Sequence, residues 1–164
     1  MYAFVTGRFT EETLAENYQY REKNDLKCVY CCPLPLSPKI YYDTYVFVIE
    51  MNNTINQIAG IGVIKNSYET KKYYKIHKDG NRNRYTYVGN YYITREMVES
   101  TNPDLVYALE QVLFKGYTHS KRGSGLLLFP EKVLKFDVFE GIQFKEEIIN
   151  LFIYYFREKI DIKQ

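Results

Sequence analysis

The sequence YVFVIEMNNTINQIAGIGVIKN, residues 45–66, decides the fold that we predict for this chain. Residues 46–51 form a dense apolar run that is rich in β-branched and aromatic side chains, as strands are. The polar break at Asn52, Asn53 and Thr54, with the apolar run that follows it, indicates a β-hairpin. Because the first strand is apolar on both sides, we place it in the middle of a sheet.

Two glycines, Gly60 and Gly62, interrupt the second strand of this hairpin. Glycine has no side chain to pack in a sheet, so it often marks a place where another group approaches the backbone closely. We therefore expect a second segment of backbone or a ligand to lie against this part of the hairpin.

Length and composition narrow the class of protein. The 164 residues suit a single domain, residues 1–164, with a full hydrophobic core. Because the net charge is only +2, a partner with phosphates has to meet a local basic patch of this chain. The 18 tyrosines can serve sheet and core packing or ligand stacking, and the sequence leaves both open.

The sequence has no feature that points to a membrane. No apolar run approaches the ~20 residues of a membrane span. The first residues also lack the charged and apolar regions of a signal peptide. We therefore predict an intracellular protein with no membrane partner.

The segments around the hairpin supply further strands. Apolar alternation bounded by glycine, proline and asparagine is typical of short strands. Asp79, Gly80 and Asn81 form a strong tight-turn signal inside the third of these segments. The strands are predicted in four segments: residues 1–9, 26–32, 73–93 and 126–129.

Helical patterns lie between and after these strands. Thr10 and Asn102 stand in N-cap positions, and the longest helix is predicted at about residues 142–160. Strands outnumber helices, and most neighbouring strands read as hairpins. We therefore predict an α+β fold in which helices flank a small curled antiparallel β-barrel, with its core at about residues 26–130.

The best candidate for a binding site is the loop of residues 115–125, KGYTHSKRGSG. Glycines let main-chain amides approach an anion closely, and basic side chains supply the opposite charge. The loop differs from the phosphate loop of nucleotide hydrolases, because the helix precedes the glycines. The alternative is a solvated surface loop. We predict nucleic-acid contacts from these residues: Lys115, Thr118, His119, Lys121, Arg122, Gly123 and Gly125.

Two further stretches are candidates for the same interface. The first combines Ser37 and Lys39 with Asn53, whose amide can read the edge of a base, although asparagine is also a standard turn residue. The second places Arg82 and Arg84 beside Tyr85, a pattern of basic groups with a stacking platform. A hairpin tip with ordinary solvating charges is the alternative there.

Metal binding and catalysis have weaker support. Cys28 and Cys31 have the spacing of half a zinc site, but no second cysteine pair completes it, so we predict neither a metal nor a cofactor. His119 beside Ser120 lacks the nucleophile elbow of a hydrolase, and we predict no catalytic residue. A buried carboxylate at Glu50 has to be paired or neutral.

Residues 26–94 resemble the barrel of the PUA-like superfamily, which includes the ASCH, EVE and YTH groups. The resemblance rests on the Ser-Pro-Lys loop, the strand VFVIEM and the returning strand with Gly-Ile-Gly-Val-Ile. It implies binding of RNA or DNA, sometimes with a modified base in an aromatic pocket. YTH-type readers use tryptophans there, and this chain has none, so Tyr41, Tyr42 or Tyr85 would have to serve.

The segments FVIEMNN, GIGVIKN and THSKRGSG are also similar to small uncharacterised proteins of large DNA viruses. This similarity implies a location in the host cytoplasm or the virion. From the residues and the resemblances together we predict a nucleic-acid-binding module without a catalytic step. The alternatives are a structural or protein-interaction component, such as a virion-associated adaptor, and a small nucleotide- or RNA-acting enzyme with His119 as its acid/base.

Overall fold

A computed structural model of the chain describes residues 1–157 and contains seven strands and four α-helices in that range. The strands are β1 (Tyr2–Phe9), β2 (Cys28–Cys32), β3 (Tyr45–Asn52), β4 (Gln57–Lys65), β5 (Tyr85–Gly89), β6 (Tyr91–Thr94) and β7 (Leu126–Leu128). The helices are α1 (Glu11–Asn24), α2 (Arg95–Thr101), α3 (Pro103–Phe114) and α4 (Phe144–Phe156). Three short 3₁₀ turns cover Gly80–Asn83, Glu131–Lys135 and Asp137–Phe139.

Five strands form a mixed sheet in the order β6-β4-β3-β1-β7. The predicted hairpin is confirmed, since β3 and β4 pair antiparallel over nearly their whole length. The predicted interior position of β3 is also confirmed, because seven of its eight residues are buried. β1 pairs with β3 in parallel, with Tyr2 opposite Tyr45 and Phe9 opposite Asn52.

The α+β class is correct, but the prediction of a small curled antiparallel β-barrel is wrong. Within the described residues the sheet is open, with β6 and β7 at its two edges. β2 and β5 form a separate two-stranded sheet and do not close the larger one. The predicted core at about residues 26–130 also omits β1, which is an interior strand. The sequence predicts β1 as a strand, but its partners on β3 lie 43 positions further along the chain, and a parallel pairing at that distance leaves no local signal.

Alternation along β3 divides the core into two layers. Phe47 and Ile49 face a cluster that includes side chains of α2, α3 and α4. Val46 and Val48 face a second cluster, formed with β2, β5 and α1. The five-stranded sheet is therefore covered on both faces, and Glu50 lies on the strand between two hydrophobic layers.

The predicted helix starts are confirmed by their hydrogen bonds. The Thr10 hydroxyl accepts from the Thr13 amide in a capping box, and the Asn102 side chain accepts from the Leu105 amide. For the C-terminal helix, the prediction to residue 160 extends beyond α4 into residues that lie outside the described part of the chain. Among residues 1–157, no helix is both long enough and apolar enough to cross a membrane.

A tight turn is present at residues 79–81 as predicted, but the strand predicted just before it is wrong. Residues 73–76 form no strand, and Gly80–Asn83 is a 3₁₀ turn. The Asp79 side chain accepts a hydrogen bond from the Asn81 amide at 3.0 Å, which is a local turn motif that needs no flanking strands.

Candidate functional site

A cleft of about 340 Å³ opens between the ends of β1 and β2 and three surface loops. Its lining brings together residues that are predicted from three separate stretches of the sequence. These are Asn53 of the β3–β4 turn, Arg82 of the 3₁₀ turn, and Lys121, Gly123 and Gly125 of the basic loop. The fold thus collects five of the thirteen predicted contact residues into one concave surface.

The cleft also contains Arg8, at the end of β1, which the sequence did not suggest. Its Nε donates to the carbonyl oxygen of Ser120 at 2.5 Å, and its Nη2 donates to the Thr6 hydroxyl at 3.0 Å. Burial lowers the pKa of Arg8, but a guanidinium keeps its charge at neutral pH. In the described part of the chain, no acidic side chain forms an ion pair with it.

Gly123 brings the basic loop against this guanidinium. Its φ of 109° lies in the region that favours glycine. A Cβ atom at this position would lie 2.7 Å from Cδ1 of Leu127 and 3.8 Å from Nε of Arg8. A larger residue would be strained at this φ and would clash with the Leu127 side chain, whereas its distance to Arg8 would be ordinary van der Waals contact.

Asn53 ties the basic loop to the β3–β4 turn. Its Nδ2 donates to the carbonyl oxygen of Lys121 at 3.0 Å, and its backbone amide donates to the carbonyl of Phe9. Its Oδ1 is buried and has no hydrogen-bond partner among the described residues. The Nδ2 atom of Asn53 thus holds the loop, and its Oδ1 atom is an acceptor beside the cleft that no described residue uses.

Acidic groups in and near the cleft are largely paired. His77 is buried, and its Nδ1 lies 3.1 Å from Oε1 of Glu16. Asp79 Oδ2 lies 3.9 Å from Nε of Arg82. This ion pair is long and exposed, so it contributes little to the stability of the protein. Arg8 and Lys121 consequently leave the cleft with an excess of positive charge.

Eight predicted contact residues do not line this cleft. Ser37 accepts from the Lys39 amide at 3.2 Å, and His119 Nδ1 accepts from the Lys121 amide at 3.2 Å, so both side chains hold local turns. The guanidinium of Arg84 lies over the ring of Tyr85, at 5.9 Å from its centroid. The full set outside the lining is Ser37, Lys39, Arg84, Tyr85, Lys115, Thr118, His119 and Arg122.

Glu50 is fully buried and anchors a polar cluster inside the molecule. Its Oε2 accepts from Arg21 Nη2 at 2.6 Å and from the Tyr30 hydroxyl at 2.7 Å. Its Oε1 accepts from the hydroxyls of Tyr18 and Tyr92, each at 2.9 Å. Burial, followed by the Glu50 charge, raises the pKa of all three phenols, so they keep their protons and donate.

The two glycines of β4 make this cluster possible. A Cβ at position 60 would lie 2.2 Å from the hydroxyl of Tyr92, and one at position 62 would lie 2.2 Å from that of Tyr30. A backbone segment or a ligand was predicted to approach these glycines, but the closest group at each is a tyrosine side chain of the chain itself. Backbone comes close only at Gly60, where the Ile93 carbonyl oxygen would lie 2.7 Å from a Cβ.

The three cysteines are free thiols on β2. Burial raises the pKa of Cys31 to about 11, and of Cys28 and Cys32 to about 12. Among residues 1–157, no three histidine, cysteine or carboxylate side chains lie close enough together to hold a metal ion.

Comparison with protein families, with curated proteins and with solved structures finds no match to this chain. The resemblance to the PUA-like superfamily and to viral proteins therefore stays a prediction. The function has to be argued from the cleft and its chemistry.

Proposed function

We propose that this chain is a nucleic-acid-binding module that holds backbone phosphates in the cleft and has no catalytic step of its own. The observation that carries the proposal is Arg8, a partly buried cation with no acidic partner in the described part of the chain. Burying a cation without a counter-charge costs free energy, and an incoming anion would recover that cost.

The groups around Arg8 suit a phosphate. Three of the five N–H donors of the Arg8 guanidinium bond to Ser120 and Thr6, and the other two remain for phosphate oxygens. Lys121 adds a second cation, and the basic loop adds main-chain amides next to its glycines. The positive φ of Gly123 and Gly125 lets this backbone approach the ligand without a side chain in between.

Features beside the cleft favour a polymer over a free phosphate ion. Arg122 is exposed and directly follows Lys121, so it can pair with a second phosphate of the same nucleic-acid backbone. Tyr85 pairs across the small sheet with Cys32, which lines the cleft, and its partly exposed ring is a stacking platform for a base. Phosphate contacts would then set the affinity, and stacking on a tyrosine would allow nucleic acids of many base sequences to bind.

A second candidate function is binding to a protein partner. Leu127 and Leu128 are both exposed, and they lie on β7, an edge strand of the main sheet. Exposed apolar side chains on an unpaired strand edge are a template for another chain. No observation favours the enzyme alternative, because the Nδ1 atom of His119 already accepts from the Lys121 amide within its own loop.

The test is fluorescence anisotropy with short labelled RNA and DNA at several salt concentrations. The cleft variant is Arg82→Ala/Lys121→Ala, and its charge-matched control is Lys132→Ala/Lys135→Ala, in a 3₁₀ turn outside the cleft lining. For the wild-type chain we expect binding that weakens as salt rises. We expect the cleft variant to bind more weakly and to lower the slope of log K against log salt by about 1.5, with the control unchanged.

Two outcomes would contradict the proposal. One is the absence of binding at low salt, which would leave the protein-partner candidate. The other is an equal loss in the control variant, which would mean that any surface cation contributes and that the cleft has no special role. An apolar protein interface would show little dependence on salt.

A further inference from the structure

Ser124 is an exposed serine of the basic loop, and it lines the cleft. Its hydroxyl has no hydrogen-bond partner among the described residues. The backbone of residues 122–124 likewise forms no hydrogen bond with the described part of the chain. Gly123 and Gly125 flank the serine, and glycine lets a segment change its conformation at little cost. The hydroxyl is therefore accessible, and the segment around it can adapt to the active site of a modifying enzyme.

The residues around Ser124 carry a one-sided charge pattern. Lys121 and Arg122 stand three and two positions before the serine. Residues 111–130 contain no aspartate or glutamate, so no negative charge lies nearby in the sequence. Kinases select their substrates by such charge patterns, and a kinase with an acidic substrate groove favours cations before the serine.

A phosphate on Ser124 would have cationic partners in the cleft. A Cβ at Gly123, one residue before the serine, would lie 3.8 Å from Nε of Arg8, so this part of the loop runs beside the guanidinium. Two N–H groups of Arg8 are not used within the chain. A phosphoserine carries a charge of about −1.5 to −2 at pH 7 and pairs well with guanidinium groups.

The same cations are the ones that we propose bind nucleic acid. A phosphate attached to the loop is present at a high local concentration, so it competes with the phosphates of a nucleic acid for Arg8 and Lys121. It also repels the backbone of an approaching nucleic acid. The modification would consequently close the cleft to its ligand.

We propose that Ser124 is phosphorylated by a serine kinase that selects cations before the serine, and that the phosphate blocks the cleft. In the reaction the Ser124 Oγ attacks the γ-phosphorus of ATP, the bond from that phosphorus to the bridging oxygen breaks, and ADP leaves. The hydroxyl proton passes to the base of the kinase. The modification itself is independent of the proposed function, whereas its regulatory effect rests on it.

The first test is phosphorylation of the full, folded chain. A purified serine kinase that requires lysine or arginine at the second and third positions before the serine is incubated with the chain and ATP. Mass spectrometry then locates the phosphate, which we expect on Ser124. Ser124→Ala should remove this phosphate, and Arg122→Ala should slow its addition by at least about tenfold.

The second test measures the contact between the phosphate and the cleft without any nucleic acid. ³¹P NMR follows the second ionisation of the phosphoserine, whose pKa is ordinarily about 6. Arg8 and Lys121 favour the dianion in the folded chain. We therefore expect this pKa to be lower by about 0.5 or more than in the same chain unfolded in urea, where Arg8 is no longer nearby.

The third test compares the binding of labelled RNA and DNA by the unmodified and the phosphorylated chain. We expect phosphorylation to weaken binding by at least about tenfold and to lower the slope of log K against log salt by about 1.5. Ser124→Glu should act in the same direction with a smaller effect. Its charge-matched control is Thr70→Glu, at an exposed residue outside the cleft lining, which should bind like the wild-type chain.

The modification site is overturned if the kinase leaves Ser124 unmodified in the folded chain. Pairing with the cleft is overturned if the phosphate has the same pKa in the folded and the unfolded chain. The regulatory effect is overturned if the phosphorylated chain binds nucleic acid as tightly as the unmodified chain. If the unmodified chain binds no nucleic acid at all, the proposed function fails and the regulatory effect with it, while the first two tests still decide the modification and its contact.

Discussion

The Nη2 atom of Arg21 lies 2.6 Å from Oε2 of Glu50, and neither side chain is more than 7% exposed. Three tyrosine hydroxyls complete the coordination of the same carboxylate. One member of the cluster, Tyr30, also lines the cleft. Because the carboxylate and the guanidinium are both buried, removing one of them leaves the other charge without a partner, which should be costly.

The first prediction concerns this ion pair. Glu50→Gln removes the counter-charge and leaves the buried guanidinium of Arg21 uncompensated. We expect the free energy of unfolding, measured with urea, to fall by about 3–5 kcal/mol. Glu99→Gln, which removes a half-exposed partner of Arg95, is the control and should cost less than about 1 kcal/mol. Equal losses of free energy in the two variants would show that the buried ion pair stabilises the protein no more than the half-exposed one.

The second prediction concerns Gly62. A Cβ there would lie 2.2 Å from the Tyr30 hydroxyl, so Gly62→Ala should destabilise the protein by about 1–3 kcal/mol. Adding Tyr30→Phe removes the clashing oxygen, and the double variant should lose less than the sum of the two single losses. Gly80→Ala, where the nearest atom would be 3.9 Å away, is the control and should be nearly neutral. Strict additivity would refute the proposed clash.

The third prediction concerns the pH dependence of stability through Glu16. Burial raises the pKa of this carboxyl, but hydrogen bonds from the Lys78 amide and His77, with their charges, outweigh burial, and the net pKa lies below 4.5. The unfolded chain therefore binds this proton first as the pH falls. The stability that Glu16 contributes is present above about pH 4.5 and is lost as the pH falls through the lower, folded-state pKa.

Glu16→Gln should accordingly lower the free energy of unfolding more at pH 7 than at a pH well below 4.5, where the stability that the carboxylate contributes is progressively lost. Urea unfolding at the two pH values measures this difference. Glu12→Gln, on the same helix but exposed, should have a small effect at both pH values. A Glu16→Gln effect of the same size at both would contradict the assignment.

The fourth prediction concerns the thiols. The raised pKa of each cysteine keeps it protonated at neutral pH, and only Cys31 is partly exposed. With an aromatic disulfide reagent at about pH 8, the native protein should show one slow reacting thiol, and all three should react after unfolding. Cys31→Ser should abolish the native phase. Fast reaction of two or more thiols in the native protein would contradict the burial of β2.

Local patterns in the sequence predicted the elements whose causes are local. The apolar run of β3, the turn after it and the N-caps Thr10 and Asn102 depend on residues within a few positions of one another. The basic loop was found for the same reason, because its glycines and cations are adjacent in the chain. The strand predicted before the turn at residues 79–81 is wrong, because an Asp side-chain turn uses the same residue types as a hairpin but needs no flanking strands.

The sequence by itself determined most of the strand and helix segments, the interior position of β3, and Lys121, Gly123 and Gly125 as candidate anion contacts. Only the tertiary structure decided that β1 inserts beside β3 in parallel and that Arg8, on β1, lies in the cleft. It also decided that Tyr18, Tyr30 and Tyr92 meet at Glu50 through the space left by two glycines. These contacts join residues that are 20 to 112 positions apart along the chain. They are stabilised by burial and pairing in three dimensions, so no local sequence pattern predicts them.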